Sequence, residues 1–437
     1  MSVIRIFRQM SQLFRQNSRM VMHEIVSASA TMGRALVVAI AVFATIPAAL
    51  SQVPRVSTVP LILEDNRVFV ELTFRKPDGT PRKARAWVDT GGGSLLLTER
   101  LADDLGLART GPETSSDDGR QAPLSKPSVF IDTLPLDVSS VPGAHGIGGV
   151  FVLLGSQRIA TGIDAEAFFP ANLLMRYHVV FDYPRRTFMI AMPGALSPHG
   201  ERVLASVQRE SGFLRIELAV DGKTYGFLLD TGGAYTMISR GLLESLAATH
   251  RDWPRLIGAV AEANMVAGQS DAEALLLRLA HMRWGPIELK NVGAVSRRPG
   301  TFETYMTRLT SGPVVGAIAG NVLKTLRVDI DYPNDAVYIE KVREVDADDL
   351  DSVGLILGVA DDGSYRISGI AHEDDHDVIE GIHTGDQLVS VDGMVVTGAS
   401  RDRVIHSLRG RPGERRKLRL RRDGKDFDVE AVIRHLL

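Results

Sequence analysis

Apolar and polar residues alternate with period two along Arg67-Val-Phe-Val-Glu-Leu-Thr-Phe74 and Lys83-Ala-Arg-Ala-Trp-Val88, and again along Phe213-Leu-Arg-Ile-Glu-Leu-Ala-Val220 and Lys223-Thr-Tyr-Gly-Phe-Leu-Leu229. Pro77-Asp78-Gly79-Thr80 separates the first pair and Asp221-Gly222 the second. Period two around such turns predicts two β-hairpins. Each hairpin is followed by an apolar stretch and a helical pattern, Leu95-Leu-Leu-Thr98 through Leu107 and Met237-Ile-Ser239 through Ala248. Farther on, Tyr177-His-Val-Val-Phe-Asp182-Tyr183-Pro184 matches Leu326-Arg-Val-Asp-Ile-Asp331-Tyr332-Pro333. A short helical segment precedes each of these, from Asn172 and from Asn321, and a strand follows each, Thr187 to Ala191 and Ala336 to Glu340. The hairpins stand 141 residues apart and the later segments 149, so the chain holds two copies of one unit with small insertions.

The second strand of each hairpin runs into the same triplet, Asp89-Thr90-Gly91 and Asp230-Thr231-Gly232, each followed by a further glycine, Gly92 and Gly233. Two carboxylates on matched loops are what a shared-proton acid–base pair requires. At an effective dielectric near 20, unit charges about 4 Å apart repel by roughly 4 kcal/mol, or about 3 pKa units, so one member holds its proton while the other ionises. Glycine lets the backbone turn sharply after a buried strand, and the Thr hydroxyl can bond across to the opposite loop and hold both Asp residues in place.

Over roughly residues 60 to 437 the chain resembles retropepsin-like aspartic proteases, in particular bacterial forms with a C-terminal PDZ domain. The resemblance implies a mainly β fold: two retropepsin-like β-barrel lobes, a duplicated acid protease fold, followed by a PDZ domain. It divides the chain into a leader and signal peptide (1–52), a first lobe (53–198), a second lobe (199–342) and the PDZ domain (343–437). It makes Asp89 and Asp230 catalytic, with Thr90, Gly91, Thr231 and Gly232 supporting the loops. In that family each loop is threaded beneath a strand ending in two apolar residues and Gly. Ile318-Ala319-Gly320 fits, whereas Phe169-Pro170-Ala171 departs at the Gly. Gly92 and Gly233 also depart, standing where relatives carry Ala or Ser, so a Ser hydrogen bond to the outer Asp oxygen is missing and a higher titration of the pair is expected. Candidate covering loops are Gly111 to Pro123 and Ala259 to Ser270.

The third unit follows an acidic connector, Glu344 to Asp351, read as solvated. It carries Gly381-Ile-His-Thr-Gly385-Asp386-Gln-Leu-Val-Ser-Val-Asp392-Gly393, which resembles the central turn and strand of a PDZ domain. A helix is expected from Ser400 to Leu408, then a hairpin, Lys417 to Arg421 and Phe427 to Val432, turned by Asp423-Gly424. PDZ domains take an extended peptide as an added strand. The resemblance assigns that docking, and capture of a C-terminal carboxylate, to Gly354, Leu355, Ile356 and Leu357; the alternative is a unit that only packs on the lobes. A separate docking unit predicts that a chain ending near Val342 still cleaves short peptides.

Lys plus Arg number 50 and Asp plus Glu 53, a balance that calls for no nucleic acid. With no cysteine, thiolate zinc sites, thiol nucleophiles and disulfide scaffolds are excluded. No Gly-x-Ser-x-Gly elbow or phosphate-binding loop occurs. His372-Glu-Asp-Asp375-His376-Asp377 is read as a solvated acidic loop and not a metal site, and the basic run Arg409 to Arg422 as the exposed face of a hairpin. No cofactor or metal is expected. Arg34, the apolar run Ala35 to Leu50 and the small residues Ala49 and Ser51 read as a cleaved signal peptide, with an uncleaved anchor as the alternative. Met22 or Met32 is the expected true start. The sequence therefore points to a periplasmic or secreted aspartic endopeptidase acting on peptide or protein substrates. Its lobes would pair within one chain, with a homodimer as the alternative. The competing reading is a non-catalytic peptide-binding envelope protein.

Overall fold

The two hairpins form as the alternation predicts. Arg67–Arg75 pairs antiparallel with Pro81–Asp89, from Val68 opposite Val88 to Arg75 opposite Pro81, and Leu214–Val220 pairs likewise with Lys223–Leu229. The turn of the second hairpin needs two left-handed residues, which Asp221 (φ 50°) and Gly222 (φ 73°) supply. The computed structural model describes residues 55–437 apart from 117–118, 140, 142–146, 161, 264–270, 361 and 374–375. The expected leader, signal peptide and cleavage site lie outside the described residues, as do positions 117–118 and 264–270 of the two expected covering loops. Strands hold 47% of the chain and helices 13%, so the fold is mainly β.

Both copies continue alike. Leu95–Thr98 leads into the helix Glu99–Asp104, whose first turn is capped by Thr98 Oγ accepting from the Leu101 amide at 3.3 Å. Thr236–Ser239 leads into the longer helix Arg240–Thr249. A later strand then inserts beside each Asp. Ala167–Pro170 lies parallel to Pro81–Asp89, placing Pro170 opposite Asp89, and antiparallel to Leu95–Thr98. Gly316–Ile318 does the same between Lys223–Leu229 and Thr236–Ser239. These matched pairings make the repeat structural as well as sequential.

A six-stranded sheet joins the copies. At its centre His178–Asp182 runs antiparallel to Leu326–Asp331, so the two Asp-Tyr-Pro strands, one from each half, lie side by side. The two halves bury one continuous core, in which Val88, Phe169 and Leu173 of the first join Leu229, Ile318 and Val322 of the second.

The C-terminal unit is a five-strand path, Leu355–Val359, Tyr365–Ile370, Gln387–Val391, Arg415–Arg422 and Lys425–Val432, with the helix Arg401–Ser407 capped by Ser400. The expected helix and closing hairpin are both present. Along Arg415–Arg422, Leu418 and Leu420 point into the core, while cross-strand ion pairs such as Arg421–Asp426 (2.6 Å) line the outer face.

Two expectations for this region need correction. The acidic connector is not solvated throughout: Asp349 is 2% exposed and pairs with Arg278 at 2.8 Å, while Asp351 holds His435 at 2.7 Å. Arg278, itself only 5% exposed, needs a counter-charge inside the protein, and the connector supplies it. The acidic loop from His372 is in fact a hairpin, His372–Glu373 with His376–Asp377, its tip outside the described residues. It extends the second lobe's ten-stranded sheet through the pairing of Ile257 with His372. Phe213, Leu276 and Ala259 of the second lobe share a second core with Leu355, Leu357, Ile405 and Leu437. The C-terminal unit is thus part of one body with the lobes.

Candidate active site

Asp89 and Asp230 end buried strands, and the two loops that follow interlock reciprocally. The Thr90 amide donates to Thr231 Oγ1 at 3.1 Å and the Thr231 amide to Thr90 Oγ1 at 3.0 Å. Each hydroxyl in turn donates to the opposite strand, Thr90 to the Leu229 carbonyl (2.6 Å) and Thr231 to that of Val88 (3.1 Å). Both threonines are fully buried. Such bonds contribute about 1 kcal/mol each, and a buried partner left unpaired costs about 1–3 kcal/mol, so the four bonds specify a single relative placement of the loops.

That placement brings the carboxyl groups of Asp89 and Asp230 into hydrogen-bond contact with each other. The Gly91 amide donates to Asp89 Oδ1 at 2.6 Å, and the amides of Gly232 and Gly233 donate to Asp230 Oδ1 at 3.0 and 2.8 Å. Burial pushes Asp89 well above the ordinary carboxyl range, and the charge of Asp230 adds to it. Burial also raises Asp230, but the hydrogen bond from Asp89, the two amides and the charge of Arg67 all oppose that rise. Both members are thus raised, and the pair holds one proton between them and titrates as a unit.

The departures from the family pattern have packing explanations. A methyl on Gly92 would fall 2.3 Å from the Phe168 ring, which stands edge-on to Trp87. At Gly233 the amide, not a side chain, supplies the bond to Asp230. Ala171 and Gly320 make the same contact, donating to the carbonyls of Gly92 (2.9 Å) and Gly233 (3.0 Å). Gly320 must be glycine because a methyl there would lie 1.8 Å from the Asn66 carbonyl oxygen. Across from Ala171 the corresponding turn residue is Gly212 (φ 77°), where a methyl would meet the Ala171 carbonyl at 2.6 Å. The glycine has moved from one side of the contact to the other, so the first loop packs as closely as the second.

Other residues of the site were not legible as such. Asn321 accepts from the Thr236 amide (2.8 Å) and donates to the Gly293 carbonyl (2.9 Å), and Asn172 donates to the Gly93 carbonyl. Their matched places in the two copies were the available signal. Arg67, fully buried and bonded to Asp65, sits 6.0 Å from the Trp87 ring and gave no signal beyond heading an apolar strand. The expected peptide-docking residues are not brought to the dyad. Leu355, Ile356 and Leu357 are at most 3% exposed, the Gly354 amide donates to Ser352 Oγ (3.1 Å), and the Leu357 carbonyl accepts from Arg401 (3.4 Å). Asp348, Asp351 and His435 gather three donor atoms within 4.8 Å near the C-terminus, apart from the dyad.

The family model described as aspartyl protease matches residues 216–306. Here the chain is similar to an aspartyl protease. The matched stretch holds Asp230, Thr231 and Gly232 and ends before Gly320. No curated protein matches the chain.

Proposed function

We propose that the chain is an aspartic endopeptidase whose dyad is Asp89 and Asp230. The observation that carries this reading is the reciprocal Thr90–Thr231 lock, which holds the two carboxyls in mutual hydrogen-bond contact. A water between them loses a proton to the ionised member of the pair as it attacks the scissile carbonyl, while the protonated member donates its proton to the developing oxyanion. Collapse of the tetrahedral intermediate then delivers the proton taken from water to the leaving amine, while a hydroxyl of the intermediate returns its proton to the other carboxylate. The non-catalytic alternative drew on Ala171 and on the turn glycines, all of which have packing reasons here.

We read the C-terminal unit as a PDZ domain. Capture of a free peptide end at Gly354–Leu357 has no support from their burial, whereas the core shared with the second lobe favours a packing role. Pairing of the lobes within one chain is favoured, since both Asp residues come from that chain. Arg34 and the apolar run after it favour work outside the cytoplasm; among the described residues no helix is long and apolar enough to cross a membrane. Mature protein beginning near Gln52 in an envelope fraction would support that location, and an intact leader on soluble cytoplasmic protein would oppose it. Activity is tested on a peptide library: the wild type should cleave and be blocked by a statine-type mimic, while Asp89→Asn and Asp230→Asn should be folded and inactive. A folded wild type that cleaves nothing would favour the binding reading.

A further inference from the structure

The turn Asp65–Asn66 joins the strand Ile62–Glu64 to Arg67–Arg75, with both turn residues left-handed (φ 47° and 59°), a conformation that Asp and Asn tolerate better than other residues with a side chain. It belongs to the first lobe, yet the C-terminal helix holds it. The Asp65 amide donates to Asp402 Oδ1 at 3.0 Å, and Arg401 Nε reaches Asp65 Oδ2 at 3.3 Å. Arg401 is 2% exposed and is fixed on its other side by the carbonyls of Ala261 (2.6 Å) and Leu357 (3.4 Å). The first two residues of the helix therefore clamp a turn more than 330 positions earlier in the chain.

The clamped turn touches the active site in two ways. Its Asn66 carbonyl packs on Gly320, whose amide donates to the Gly233 carbonyl at 3.0 Å, and the Gly233 amide donates to Asp230 Oδ1 at 2.8 Å. The next residue, Arg67, is bonded to the clamped carboxylate of Asp65 and places its charge where it favours ionised Asp230. The corresponding turn on the other side, at Gly212, is tied within the second lobe, where Ser211 Oγ donates to the Leu309 carbonyl at 2.6 Å.

We propose that Asp402 and Arg401 are positioning residues for Asp230: through the Asp65–Asn66 turn they set the loop and the cation against which this carboxylate rests. This rests on the endopeptidase reading. Peptide hydrolysis then needs the C-terminal unit docked, even for substrates too short to touch it.

The test uses the full chain and a short fluorogenic peptide. Asp402 is half-buried, so Asp402→Ala removes the acceptor with little lost packing. kcat should fall roughly ten-fold, as small displacements of reacting groups do, with KM within about two-fold and thermal unfolding unchanged. Asp402→Asn, which keeps an acceptor oxygen, should restore most of the loss. The acid limb of kcat/KM should move to higher pH in the Ala variant and return in the Asn variant. The charged groups facing this cluster are Arg67, Arg401, Arg409, Glu262 and Asp402, with Arg297 and Asp89 beside Asp230. If Asp402→Ala does not fold, Arg401→Lys, which keeps the charge and shortens the reach, should give the same kcat loss and limb shift. Unchanged kcat and acid limb in a folded Ala variant would overturn the proposal while leaving the endopeptidase reading intact. Equal losses in Ala and Asn, tracking a lowered melting temperature, would also overturn it. A wild type that cleaves nothing would remove both.

Discussion

The two glycines that close the Asp-Thr-Gly triplets face the opposite carboxyls unequally, which predicts unequal responses to alanine. A methyl on Gly232 would fall 2.2 Å from Asp89 Cγ and 2.5 and 2.6 Å from its oxygens. Carbon atoms settle about 3.5–4.0 Å apart, so the Asp89 carboxyl must retreat by more than about 1 Å. Gly91 is looser: a methyl there would lie 3.2 Å from Asp230 Cγ and from one oxygen of each carboxyl, which shifts of a few tenths of an ångström relieve. Displacing a reacting group by about 1 Å costs on the order of 100-fold in rate, or about 2.7 kcal/mol of transition-state stabilisation. Gly232→Ala should therefore lose about 100-fold or more in kcat, and Gly91→Ala less than about ten-fold. The assay is kcat at saturating fluorogenic peptide, with thermal unfolding followed in parallel to separate lost geometry from lost fold. Equal losses in the two variants, or a larger loss in Gly91→Ala, would refute the geometric argument.

Further outcomes follow from the same contacts. Burial lifts Glu262 to about 7, so its folded value lies above its unfolded one, and stability falls as pH rises from about 4.5 through 7. Glu262→Gln should match the wild type near pH 4 and exceed it by about 3 kcal/mol above pH 8, as denaturant titrations at the two pH values would report. Asp349→Ala removes the carboxylate paired with buried Arg278, leaving it only its bonds to Leu437 O and the Asn291 carbonyl, and should cost about 3 kcal/mol in the same measurement. A chain ending at Val342 exposes the core that Phe213, Leu276 and Ala259 share with Leu355 and Leu357. It should fail to fold, contrary to the expectation from the sequence, and a soluble, cooperative melt of that fragment would show the units to be separable.

What the sequence made legible was local or repeated. The hairpins follow from period two and their turns, and the dyad from one triplet occurring twice at the ends of apolar strands. Contacts between distant residues left no such trace. Ala171 looked like a defect because its compensation, Gly212, lies in the other copy and has meaning only across the contact. The connector looked solvated because a run of acids ordinarily is; nothing local announces that Arg278 waits, buried, for Asp349. Arg67 read as the polar head of a strand, and the partner that gives it a role, Asp65, is itself held by a helix at the far end of the chain. The burial of Leu355 and Leu357 escaped for the same reason, since they sit in a core assembled from both the second lobe and the C-terminal unit.

The central claim is that Asp89 and Asp230 together activate one water against a peptide bond. Its most direct test is digestion of a peptide library in ¹⁸O-labelled water by the wild type, Asp89→Asn and Asp230→Asn, read by mass spectrometry within the first turnovers. The account predicts wild-type fragments carrying one heavy oxygen at each new carboxyl end, and none from either folded variant. Cleavage by either variant at the wild-type rate would contradict it.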